Sequence, residues 1–248
     1  VLGSSGLGLL TNVACAIWVF GWRWPQLRPH FTRLDFGAVR DLLSSGWKFL
    51  AIGAVWMVNS ETDNLVIAHY LGAAQVTPYA VTFALFANAT LLQTLAYPSL
   101  WPAYTEAFAQ KDFAWMRRTF RRHMQLSFVS ALLIVALLIF TGRAIIRFWA
   151  GETAVPPFAT VVWMGAWNLM LATLYVASCL LNATGHLTGM TISGTVTAVL
   201  NIGLSILLAQ KYGISGVIAG TVIAFAVAHY IPTFIEVRSV LRKAAAAG

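Results

Sequence analysis

Apolar residues in this chain do not alternate with polar ones but gather into long, nearly unbroken runs, at roughly 3–22, 47–69, 78–98, 124–141, 158–181, 188–209 and 215–235. A helix needs about 20 mostly apolar residues to cross the hydrocarbon of a bilayer, so each run predicts one spanning helix. The expected fold class is therefore all-α integral membrane, with seven transmembrane helices. The longest polar connector, Trp22 to Trp47, carries Pro25 and Pro29 and then the amphipathic run DFGAVRDLL starting at Asp35. Such a run is expected to lie on the membrane surface. KDFAWMRRTFRRH, from Lys111, predicts a second interfacial helix leading into span four. Pro98 and Pro102 predict a kink beyond span three, and GRAIIRFWAGETAVPP predicts an outer interfacial turn around Arg143, Arg147 and Trp149.

Within this pattern the polar interruptions stand out. Glu61 and Asp63 fall in the outer part of span two. A charge in hydrocarbon costs roughly 2.5–3.5 kcal/mol even on lenient insertion scales, so a membrane carboxylate is by default a candidate functional group. A step of about 100° per residue puts Asp63 on the side of Ile52, Trp56 and Asn59, and Glu61 on another, so the two acids are not expected to form a pair. Asp63 either faces a cavity with Asn59, where it would couple transport to an ion, or hydrogen-bonds neighbouring helices. Asn88, Gln93 and Tyr97 share nearly one face of span three, and Asn201 lies on span six. Each has interhelical hydrogen bonding as its plain reading, and as a set they suit a hydrophilic cavity.

Composition agrees with the runs: 59% of residues are hydrophobic, only 10% are charged, and the mean hydropathy is +0.74. No stretch remains for a soluble catalytic domain, so no enzyme activity, cofactor or metal is expected. The net charge of +8 is not a nucleic-acid signal, because of where it sits. With the N-terminus outside, the connectors facing the cytoplasm hold Arg23, Arg28, Arg33, Arg40, Lys48, Lys111, Arg117, Arg118, Arg121, Arg122, Arg238, Arg242 and Lys243, leaving Arg143, Arg147 and Lys211 elsewhere. That asymmetry predicts a cytoplasmic C-terminus and basic patches against anionic membrane lipid. Cys15 and Cys179 both lie within spans and read as small apolar residues. Spans six and seven are rich in small residues, among them the GxxxG of Gly216 and Gly220, which lets helices approach closely.

Several stretches then resemble a known family. DNLVIAHYLGAAQVTPY, residues 63–79, is similar to the D-x-x-x-I-x-x-x-L-G-x-x-x-V-x-x-Y pattern of polysaccharide (O-antigen) flippases, carried here by Asp63, Ile67, Leu71, Gly72, Val76 and Tyr79. LWPAYTEAFAQKDFAWMRR resembles the segment closing the second helix of a lobe, and LLNATGHLTG with LNIGLSILLAQKYGISGVIAGTVIA resembles the last helices, Asn201 and the Tyr212–Gly216 turn included. These flippases belong to the superfamily of multidrug and toxic-compound exporters. The resemblance implies two six-helix lobes in a whole protein. This chain would then hold the last helix of the first lobe at 1–22, a cytoplasmic inter-lobe connector at 23–46, a six-helix second lobe at 47–243 and a tail at 244–248. On that reading the partner is a missing N-terminal lobe, and the chain, which opens on Val1 within a span, is the C-terminal part of a longer protein.

The resemblance further implies a substrate: lipid-linked oligosaccharide, flipped across the bacterial inner membrane by alternating access for surface polysaccharide, including lipopolysaccharide. Cavity residues would be Asn59, Asp63, Asn88, Gln93, Tyr97 and Asn201, with Asp63 and Glu61 for ion coupling. Arg23 and Lys48 are the nearest cations to receive a diphosphate from the cytoplasmic side. The alternative within the superfamily is a cation-coupled multidrug exporter. A retinal protein is disfavoured because span seven has no Lys, and a membrane glycosyltransferase because the longest outer loop is only about 16 residues.

Overall fold

The computed structural model describes residues 11–24, 61–94 and 97–246, with isolated helical positions between 24 and 61. Two units separate along the chain, Val1–Phe49 and Leu50–Gly248. In the first, helix α1 runs over 11–18 and continues into a π-turn, Val19–Arg23, closed by the Trp24 N–H on the Val19 carbonyl at 2.7 Å. Its described side chains are almost all exposed, and the Arg23 guanidinium stands 6.0 Å from the Trp24 ring.

The second unit is all helix among the described residues. After α2 (61–70) come α3 (Val76–Thr94), α4 (Tyr97–Ala109), α5 (Phe113–Ala150), α6 (Phe158–Ala183), α7 (Leu187–Tyr212), α8 (Ile214–Phe225), a π-turn (Ala226–Tyr230) and α9 (Ile231–Ala246). Among the described residues, four helical stretches are long and apolar enough to cross a membrane: Phe113–Ala150, Phe158–Ala183, Ile192–Tyr212 and Ile214–Arg242. They correspond to the last four spans expected. The spans expected at 3–22 and 47–69 are described only in part, the first as α1 with its π-turn and the second as α2 and isolated helical positions before it. The third appears as α3, its hydropathy diluted by Thr82, Asn88 and Thr90, with α4 following from Tyr97.

In lipid, apolar side chains gain little by leaving their surroundings, so helices associate through close packing and polar pairs. Small residues show where. α7 and α8 are joined by Gly213 alone, at φ 60° and ψ −144°, a conformation only glycine adopts without strain. The hairpin is closed so tightly that a Cβ on Gly216 would run into the Leu208 carbonyl, and one on Gly220 would lie 2.7 Å from the Ser205 nitrogen. Gly165 plays the same part between α6 and α5, where a Cβ would meet Val135 Cγ1 at 2.7 Å. α8, whose sequence ISGVIAGTVIAF is small or apolar on every side, is buried nearly all round. Around it lies a core of Ile67, Phe86, Met164, Trp167, Val217 and Ile218, while a second core at the other end joins Leu100 and Tyr104 of α4, Met116 of α5, Leu180 of α6 and Val237 of α9.

Two sequence expectations change. KDFAWMRRTFRRH does not form a separate helix lying in the interface. Asp112 caps it, accepting from the Trp115 N–H at 2.9 Å, and the residues that follow are the opening turns of α5. Its apolar side, Phe113, Met116 and Phe120, packs on the second core rather than on lipid, which keeps the helix continuous. At the far end, Arg143, Arg147 and Trp149 belong to α5 as well. The chain turns only at Gly151, φ 89°, and Arg147 pairs with Glu152 at 2.5 Å just beyond it. Pro98 falls in the first turn of α4, where no N–H is required, while Pro102 sits inside that helix.

Candidate functional site

The carboxylate of Asp63 is the best-connected polar group described. It is 4% exposed and accepts three hydrogen bonds, each from a different helix. Tyr79 Oη of α3 donates to Oδ2 at 2.5 Å, Thr221 Oγ1 of α8 donates to Oδ2 at 2.9 Å, and Asn201 Nδ2 of α7 donates to Oδ1 at 3.1 Å. A carboxylate has about four lone-pair positions, so three donors leave it nearly saturated. Thr221 has one proton and also lies 3.1 Å from the Val217 carbonyl, and the charged acceptor is the stronger claim on it. The network extends one step further: Ser205 Oγ lies 3.0 Å from Asn201 Oδ1 and 3.2 Å from the Val217 carbonyl.

Local sequence explains the convergence. Gly72 at φ 92° turns the chain between α2 and α3, so Asp63 and Tyr79, each within two to three helical turns of that bend, meet across it. The glycines of the α7–α8 hairpin bring Asn201 and Thr221 to the same level. At 1.5 Å per residue, Asp63 and Thr221 both lie about 10 Å from the helix ends near Tyr70 and Ile214. The arrangement can hold four helices in register through one charge. A group so placed is costly to bury alone and strongly held when its donors are present.

Glu61, two residues away, is exposed and takes no part in this network. Asn88 is also exposed and donates to the Ala84 carbonyl of its own helix at 2.8 Å. Asn201 and Asp63 are thus brought together, whereas Asn88 is not. Asn59 and Lys48, and the side chains of Gln93 and Tyr97, lie outside the described residues, and Arg23 belongs to the first unit. Tyr79 and Thr221 enter as site residues that the sequence alone did not single out. Tyr79 closes the family-like pattern that Asp63 opens, a usable signal, but Thr221 looks like one more small residue beside Gly220.

Other polar side chains tie pairs of helices. Asn168 of α6 donates to the Phe86 carbonyl at 2.9 Å and to Thr90 Oγ1 at 2.5 Å, both on α3. Ser193 of α7 meets His229 Nδ1 at 2.7 Å, and Thr173 of α6 meets Tyr230 at 2.9 Å. His229 and Tyr230 sit in the π-turn, where the Ile231 N–H reaches back to the Ala226 carbonyl. Pro232, which offers no N–H and crowds the carbonyl four residues back, accounts for the widening. In the second core, burial raises the Tyr104 hydroxyl above the usual tyrosine range, with Cys179 nearby adding to it. Among the described residues, no group of His, Cys, Asp and Glu is arranged to hold a metal ion.

These features define a multi-pass helical membrane protein whose second unit is organised around one buried carboxylate. The family to which it belongs is that of the polysaccharide biosynthesis proteins, whose family model matches residues 7–156. That match includes α2 and α3 with Asp63 and Tyr79, while Asn201 and Thr221 come from beyond it. No curated protein and no solved structure matches the chain.

Proposed function

We propose that this chain is the C-terminal part of a flippase that carries lipid-linked oligosaccharide across the bacterial inner membrane for surface polysaccharide, by alternating access. Membership of the polysaccharide biosynthesis family, in a chain built of spanning helices, is the observation that carries the reading. Alternating access in two-lobed transporters is largely the rocking of one lobe against another, and this needs each lobe to stay intact as it moves. The Asp63 network supplies that cohesion, since a single carboxylate engages α2, α3, α7 and α8. On this reading Asp63 acts chiefly as the tie of the lobe. The exposed Glu61, with Asn88, is left to face the cavity against the N-terminal lobe. The diphosphate of the substrate would be received by Arg23, Lys48 and cations of that lobe.

The basic residues support a cytoplasmic C-terminus. α5 and α9 meet in the second core, so Arg117, Arg118, Arg121, Arg122, Arg238 and Arg242 collect at one end of the lobe. Arg143, Arg147 and Lys211 mark the other. Deleting the full-length gene tests the function: surface polysaccharide is lost and lipid-linked units accumulate on the cytoplasmic face. Normal export in the deletion strain refutes the reading, and drug sensitivity without a polysaccharide defect points to the multidrug exporter.

A further inference from the structure

α5 combines three properties that no other described helix shares. It is 38 residues long, about 57 Å, which exceeds the roughly 40–45 Å of a bilayer with its headgroups. Its arginines bracket an apolar stretch, residues 123–142, and Arg122 and Arg143 are about 32 Å apart along the axis, close to the hydrocarbon thickness of about 30 Å. Helical phase puts Arg117, Arg118, Arg121 and Arg122 within an arc of about 140°, and Arg143 and Arg147 within the same arc. Between them that arc presents Phe128, Val129, Leu132 and Phe140, exposed by 45%, 53%, 46% and 86%.

All four arginines of the N-terminal group are exposed, and none has a carboxylate partner among the described residues. The acids near this end are otherwise engaged or face elsewhere. Asp112 caps α5, Glu106 accepts from Gln110 at 3.1 Å, and Glu236 lies against Gly189. Four unneutralised guanidinium groups directly beneath an exposed apolar stripe match an amphiphile with an anionic phosphate below two acyl chains.

We propose that this face of α5 is a binding site for anionic phospholipid, with Arg117, Arg118, Arg121 and Arg122 holding the headgroup phosphates and Phe128, Val129 and Leu132 the chains. The binding depends neither on the flippase reading nor on the orientation given above. The test uses the purified full chain in bilayers of equal phosphatidylglycerol and phosphatidylcholine, transferred to mild detergent, with retained lipid quantified by mass spectrometry. Phosphatidylglycerol is expected to be enriched at least about tenfold. Replacing all four arginines with Gln returns the ratio to that of the bilayer, while the four Lys replacements keep most of the enrichment. Should the Gln variant fail to fold, high salt applied to the unaltered protein is expected to lower the enrichment severalfold. Equal retention of the two lipids, or enrichment unchanged by both Gln and salt, overturns the proposal. Retention of an added polyprenyl diphosphate without any preference for phosphatidylglycerol also overturns it, and assigns the arginines to substrate.

Discussion

Tyr79 Oη and Asp63 Oδ2 lie 2.5 Å apart, joining α3 to α2 across the turn at Gly72. Thr221 of α8 donates to the same oxygen at 2.9 Å. Two donors on one acceptor make their contributions interdependent, because losing either strengthens the claim of the other. Tyr79→Phe and Thr221→Val are each expected to cost about 1–2 kcal/mol. The double variant should cost measurably more or less than their sum. Thermal unfolding of the four proteins in detergent reads the coupling, and strict additivity would count against a shared oxygen.

Asp63→Asn tests the carboxylate itself. The amide is nearly the same shape, but it turns one acceptor into a donor facing hydroxyl or amide donors. A loss of about 2–4 kcal/mol is expected, comparable to that of Asp63→Ala, which takes the shared acceptor from Tyr79 and Asn201 and leaves Thr221 only the Val217 carbonyl. Glu61→Gln serves as the comparison, since Glu61 is exposed, and it is expected to leave unfolding unchanged. Equal effects of the two substitutions contradict the network.

The hairpin glycines separate close contact from composition. Gly216→Ala and Gly220→Ala push a methyl group into the backbone of α7 and are expected to destabilise by about 1–3 kcal/mol each. Gly203→Ala meets nothing within 4 Å and is expected to be neutral or to stabilise the helix by up to about 1 kcal/mol. Unfolding midpoints that rank the three alike contradict the described packing.

Orientation is open to a direct chemical check. In a background with Cys15 and Cys179 changed to Ala, Gln110→Cys and Thr153→Cys place thiols at exposed positions at opposite ends of α5. A membrane-impermeant maleimide added to intact cells is expected to label position 153 and spare 110 until the cells are opened. The reverse pattern inverts the topology.

Much of the fold is written in the apolar runs, because length and hydropathy alone decide whether a helix spans. The extent of α5 is not. Its terminal turns, with Arg117 and Arg118 at one end and Arg143 and Arg147 at the other, are too charged to look like span. They stay helical because Phe113, Met116 and Phe120 find a protein core and because Gly151 is the first residue free to turn. The site divides in the same way. Helical phase is enough to separate Asp63 from Glu61, since it follows from their spacing of two residues alone. The meeting of Asp63 with Asn201 and Thr221, far along the chain, depends on how helices pack in lipid, and no local pattern encodes it.

The one-residue turn at Gly213 also determines what the aqueous phase meets at that end. With Lys211 and Tyr212 on one side and buried Ile214 on the other, no loop emerges between α7 and α8 for a protease to cut, an antibody to grip or an inserted tag to occupy. Whatever surface variation this protein carries near that end must be borne elsewhere, by segments such as the turn at 151–157.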